Sequence, residues 1–320
     1  MSFIVDRCKE NDLSLVRLQD TVTETIITVL PAYGALLHSF EIPLQGSRFN
    51  VIDNYSNKKE IEHSLGISFK SSKLSPFVCR IPGGKYKFGK KEYQLSKNFI
   101  DGSAIHGLVY NKSFTIVDQF SDDNMASVVL RYHYRTEETG YPFEYVCEVR
   151  YILHSAQTLQ VESTILNIDK NDIPLSDGWH PYFRLGNSVN DYQLQFNSEQ
   201  MLEFNESLIP TGELISEPSF INPAPIGTRM LDNCFLLQVA EGTPCCVLYN
   251  PLNGLAVSFF SNQSYPYLQI FTPDHRKSIA IENLSAAPDC FNNGMGLLLL
   301  PPGHSHTFNV WYQLSVRQNK

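Results

Sequence analysis

Period-two alternation of apolar and polar residues constrains this chain more than any other feature of it. Val128, Leu130, Tyr132 and Tyr134 alternate with Arg131, His133 and Arg135, the pattern of a strand with one face in a core and the other in water. Tyr145, Cys147, Val149, Tyr151 and Leu153 repeat it against Glu144, Glu148 and Arg150. Leu159, Val161 and Ile165 do so against Gln160, Glu162 and Thr164, and Phe308, Val310, Tyr312, Leu314 and Val316 alternate again near the C-terminus. Helical periodicity is almost absent, and the one helical turn expected runs from Asn57 to Leu65. Breaks at Gly140-Tyr141-Pro142 and His154-Ser155-Ala156-Gln157 read as hairpin connections. Gly83-Gly84 reads as a hairpin tip feeding Lys85-Tyr86-Lys87-Phe88. The pattern continues from about Glu24 to Val316 with no linker or low-complexity tract, so one domain is expected over residues 1–320. Strongly twisted open sheets rarely exceed about ten strands, so this many must stack. The expected fold is all-β, a large multi-stranded antiparallel β-sandwich.

Several function classes fall away at once. A net charge of −8 lacks the concentrated basic face that nucleic-acid phosphates require. Met1-Ser2-Phe3-Ile4-Val5-Asp6-Arg7 places charges where a secretory peptide needs an apolar stretch, and no later run reaches membrane-spanning length. A cytoplasmic protein with neither a membrane nor a nucleic-acid partner is therefore expected. The seven cysteines are odd in number and lack CxxC spacing, which points to reduced, buried thiols and no metal site. No Gly-rich phosphate loop or Gly-x-Ser-x-Gly elbow is present.

Four segments could carry chemistry. In Trp179-His180-Pro181-Tyr182-Phe183, proline holds the histidine extended among aromatic rings that could receive the C–H face of a sugar, with Trp179 counted among the substrate-binding residues. A core histidine is the plainer alternative. Ile279-Ala280-Ile281-Glu282 is an apolar strand ending in a carboxylate, a general-base candidate if buried and an ordinary strand-end acid if not. His106 precedes Gly107, whose lack of a side chain permits close backbone approach or a sharp turn. Arg80 stands in an apolar run and could donate to sugar hydroxyls or serve a structural ion pair. His304-Ser305-His306 reads as a solvated loop, and Lys85, Lys87, Lys90 and Lys91 as the wet face of a hairpin.

Taken in order, Asn98, Ile105-His106-Gly107, Trp179-His180-Pro181-Tyr182-Phe183, Asp232-Asn233-Cys234-Phe235 and Glu282 followed by Pro288-Asp289 resemble the aldose 1-epimerase (galactose mutarotase) family over roughly residues 24–314. The resemblance implies the galactose mutarotase-like supersandwich with a sugar cleft on a concave face. It also implies His180 as general acid, Glu282 as general base, and Arg80, His106 and Asp232 as ligands of sugar hydroxyls. The partner implied is a free monosaccharide, on a monomer or homodimer, with no cofactor. Opening a hemiacetal needs one proton taken from the anomeric hydroxyl and one delivered to the ring oxygen, here by groups on opposite sides of the sugar. Reference pKa values near 4.3 and 6.5 leave the glutamate ionised and the histidine able to hold a proton. Cys79, Leu108 and Asn283 depart from the family pattern, which often holds Asn, Gly and Pro there, and they bear on sugar preference. Rival readings are a hexose-6-phosphate epimerase, which needs more cations in the cleft, a non-catalytic sugar binder, and a polysaccharide lyase.

Overall fold

The structure, a computed structural model, describes residues 1–317. A nine-stranded antiparallel sheet is built around Met125–Arg135, Glu144–His154, Thr158–Asn167 and Ser305–Val316, the long strands that alternation had marked. In Thr158–Asn167 every second residue is buried, so the polar set faces out along the whole strand. The three residues between His154 and Thr158 close the expected hairpin, with Ala156 and Gln157 both at positive φ.

An eight-stranded sheet packs its inner face on this one. Its strands run in the order Pro210–Ser216, Gln200–Phe204, Asp232–Leu236, Tyr267–Phe271, Ile279–Leu284, Gly178–His180 and Ser72–Leu74, with Tyr182–Phe183 also pairing on Ile279–Leu284. Aromatic pairs knit the sheets together: Tyr151 with Trp179 at 5.9 Å, Phe183 with Phe259 at 4.9 Å and Phe196 with Phe235 at 4.5 Å between ring centroids. Each such side chain contributes on the order of 1.5–3 kcal/mol through burial. An N-terminal five-stranded sheet begins with Phe3–Glu10 and Leu13–Asp20, two strands ahead of where alternation became legible. A small sheet of Phe99–Ile100, Ser103–Ile105 and Arg80–Pro82 completes the surroundings of the cleft described below.

The helix spans Lys58–Ser68, three residues beyond the expected turn. Asn57 caps it by accepting from Glu60 N at 2.9 Å, and Phe69 ends it at φ 49°. Gly83-Gly84 is a turn but not a hairpin tip, because Arg80–Pro82 pairs with Ser103–Ile105 and Lys85–Phe88 pairs with Lys91–Gln94 across Gly89-Lys90. His306 lies within the strand Ser305–Val316 instead of in a loop, its ring 4.6 Å from that of Phe308. All seven cysteines are free thiols, six of them buried.

Candidate active site

Strand ends, a helix terminus and two tight turns bring distant residues to one cleft of about 170 Å³. That is room for far more than one water, which needs only ~10–15 Å³. Arg80, His106, His180, Asp232 and Glu282 all line it. His180 ends the Gly178–His180 strand, where Pro181 supplies no N–H to extend the ladder. Glu282 lies inside the strand Ile279–Leu284, two residues before its end, every residue of which is buried. His106 adopts φ 59° and Gly107 φ 77° in a turn that Asn98 holds by donating to Gly107 O at 2.8 Å. The glycine is required there. A Cβ on Gly107 would stand 2.3 Å from Ser75 O, so the close approach is to the chain's own backbone.

His180 Nε2 lies 3.3 Å from Glu282 Oε1. The His106 and His180 rings meet edge to face at 4.8 Å, and Tyr182 stacks on His180 at 5.1 Å. Gln269 stands directly opposite Glu282 in the ladder and therefore shares its face. Its Nε2 donates to Asp232 Oδ1 at 2.8 Å. Arg80, half-buried, forms no ion pair within 4.0 Å among the described residues, so the structural-pair alternative for it is not realised. The polar atoms His106 Nδ1, His180 Nδ1, Gln269 Oε1 and Glu282 Oε2 are buried without hydrogen-bond partners. All four belong to residues that line the one cavity.

Electrostatics alter one expectation. Burial pushes the His180 imidazole down to about 4. Burial, reinforced by the nearby Asp232, drives the Glu282 carboxyl well above the carboxylate range. Burial thus opposes a charge on either partner of this contact, lowering the imidazole and raising the carboxyl from their ordinary values. His106 is likewise held neutral, by burial first and then by His180 and Arg80. Burial raises Asp232, and Arg80 and Gln269 pull it back.

A family model for aldose 1-epimerase matches residues 16–313. The chain belongs to the aldose 1-epimerase family. Among its relatives, the uncharacterized protein YihR of Escherichia coli is 31% identical over 75% of this chain and 78% of its own length. An aldose 1-epimerase of Streptococcus thermophilus is 23% identical over 97% of both chains. In fold the chain is similar to a galactose mutarotase-like protein from Clostridium acetobutylicum (TM-score 0.87, 16% identity, 99% of both chains) and to a galactose 1-epimerase from Lactobacillus acidophilus (TM-score 0.81, 19% identity, 98% of both chains).

In this epimerase-family cleft one expected ligand is absent. Trp179 precedes His180 in a strand, and successive side chains project to opposite faces. Its ring therefore enters the core, against Tyr151 and beneath Lys73 Nζ at 4.7 Å from the ring centroid. The aromatic surfaces that do line the cleft are Tyr182, Phe69, Phe204 and Phe271. Gln269 escaped sequence reading, although a lone amide in Tyr267-Leu268-Gln269-Ile270-Phe271 was a usable signal. Of the departures from the family pattern, Cys79 lines the cleft at φ 49°, whereas Leu108 is core and Asn283 is buried. Lys85 and Lys87 line a separate groove on the hairpin with Glu92, away from the cleft.

Proposed function

We propose that this protein interconverts the α and β anomers of a free aldose, with His180 and Glu282 passing the two protons of ring opening. The observation that carries the reading is the buried His180–Glu282 contact of 3.3 Å within a cleft of unpartnered polar atoms. The anomeric hydroxyl oxygen and the ring oxygen are both bonded to C1. Two proton carriers side by side, and not facing each other across the ring, are what such neighbouring oxygens need.

Glu282 takes the proton of the anomeric hydroxyl while His180 delivers one to the ring oxygen, breaking the C1–O5 bond and leaving an open-chain aldehyde. Rotation about C1–C2 presents the other carbonyl face. The hydroxyl at C5 then attacks, returning its proton to His180 as Glu282 reprotonates the new anomeric oxygen. Before this, sugar hydroxyls donate to the bare Glu282 Oε2 and favour its ionised form, which moves the shared proton to His180. Arg80, His106, Asp232 and Gln269 hold the remaining hydroxyls. Each proton-transfer group typically contributes about 10²–10⁴ in rate.

The test is polarimetry on freshly dissolved α-galactose or α-glucose. His180→Ala and Glu282→Gln are expected to lower the catalysed rate at least a hundredfold with circular dichroism unchanged. Near wild-type rates in both variants would remove these residues from the mechanism. A hexose 6-phosphate is a poorer fit, because among the described residues Arg80 is the one permanent cation lining the cleft.

A further inference from the structure

The outer face of the nine-stranded sheet carries an aromatic pair that the core does not account for. In the strand Ser305–Val316 the residues Phe308, Val310, Tyr312 and Leu314 are buried in the core, so period two turns Trp311 and Gln313 outward. Phe260, on the strand Leu255–Ser261, stands directly opposite Trp311 and shares its face, and Gln160 stands opposite it on the other side. Both rings are half-buried, and among the described residues neither belongs to an apolar cluster. Gln160 is already fixed beside them, its amide bonded with His154 Nε2 at 2.9 Å and donating to Glu162 Oε1 at 3.0 Å and Asn309 Oδ1 at 3.2 Å.

The two rings line a groove of about 850 Å³, against about 170 Å³ for the active-site cleft, and the two cavities share no lining residue. Segments 239–243 and 261–263 wall it, tied together by Gln263 Nε2 donating to Val239 O at 3.3 Å. Asn262, Gln263, Gln313 and two threonines bring amides and hydroxyls to the same groove. Among the described residues its one ionisable group is Glu241, and no lysine, arginine or histidine lines it. It lies on the opposite side of the sandwich from His180, since Trp179 enters the core between the sheets and His180 faces away from it.

We infer that this groove is a second, non-catalytic binding site for a neutral oligosaccharide. Paired aromatic rings receive the C–H faces of sugar units, and uncharged amides and hydroxyls at the walls take the hydroxyl edges. The lining excludes the other hydroxyl-rich ligands by charge: a uronate chain or a phosphorylated sugar meets Glu241 and no cation. The groove's size suits a chain of several units better than one ring. None of this depends on the anomerase reading, because the two sites are separate.

The experiment titrates the full chain with cellotetraose, maltotetraose and tetragalacturonate by isothermal titration calorimetry. At least one neutral tetrasaccharide is expected to bind with a Kd of about 1 mM or tighter, and tetragalacturonate several-fold more weakly. Trp311→Ala should weaken the neutral glycan about tenfold or more with Tm unchanged, as loss of a central aromatic contact does. Phe260→Ala makes the same comparison from the neighbouring strand, should Trp311→Ala disturb the sheet. Glu282→Gln should leave glycan binding unaltered. No heat from either neutral tetrasaccharide at about 10 mM overturns the inference, as does binding that survives both ring variants. Binding lost in Glu282→Gln would place the glycan in the cleft and overturn it too. A wild-type dimer in sedimentation that Trp311→Ala dissociates would assign the face to a second copy of the chain, with the same consequence.

Discussion

The strand Gly178–His180 separates two polar regions that meet the same physical problem in opposite ways. On the cleft side, His180 and Glu282 are buried and carry atoms with no partner. On the core side, Lys73 is fully buried but ion-paired to Asp177, reaches Gly178 O at 3.3 Å and lies over the Trp179 ring, while the Tyr265 hydroxyl donates to Asp177 at 2.7 Å. Among the described residues, Asp177 Oδ2 and Trp179 Nε1 are left over there. A buried charge completed within the protein holds the fold together. A buried polar group left incomplete is held in reserve for a ligand.

This contrast can be broken by experiment. Glu282→Gln should cost the most, about 10²–10⁴ in catalysed exchange rate, with a Tm equal to or above wild type, since a buried acid is lost whose Oε2 had no partner; a Tm falling by ten degrees or more would make Glu282 structural. Lys73→Met should do the reverse. It strands Asp177 in the core and is expected to destabilise by about 3–5 kcal/mol in urea titration, while Lys73→Met with Asp177→Leu recovers most of that. If the single variant unfolds at the wild-type midpoint, the core pair does not support the fold.

A pH profile sharpens the same point. Loss of a usable base requires a second proton on the pair, and burial holds His180 down at about 4. The acid limb of kcat/KM should therefore fall near pH 4, tenfold per unit below it, and not near 6.5; the alkaline limb, where the pair loses its proton, should lie above the ordinary carboxylate range because Glu282 is raised. A midpoint near 6.5 would show His180 to be solvated. The smallest effect is expected from Gln269→Ala. One hydrogen bond of about 1 kcal/mol is lost, so KM should rise about fivefold with kcat changed less; a loss confined to kcat would place Gln269 with the proton carriers.

Much of the fold was legible because long strands with one wet face announce themselves, as Glu144–His154 and Thr158–Asn167 do. Phe3–Glu10 did not, since at the sheet edge only Phe3 is buried and the remaining pattern is irregular. The site was legible where chemistry and a local breaker coincide, as at His180 before Pro181 and His106 before Gly107. Trp179 was misassigned by treating sequence neighbours as spatial neighbours, although period two itself sends Trp179 and His180 to opposite faces. The opposed shifts of the pair were beyond sequence reading, because they depend on how deeply the cleft buries both groups. That is set by residues far away in the chain, such as Phe69 and Phe204.

The buried thiols make each region separately observable. Cys79 lines the cleft and Cys234 feels Glu282, whereas Cys147 lies within the field of Lys73 and Asp177. Under slow alkylation with mass detection, each cysteine can react only when its own surroundings open. Cleft breathing would be recorded at 79 and 234 and core rupture at 147, so a ligand that seals the first without touching the second would leave its signature in the order of modification.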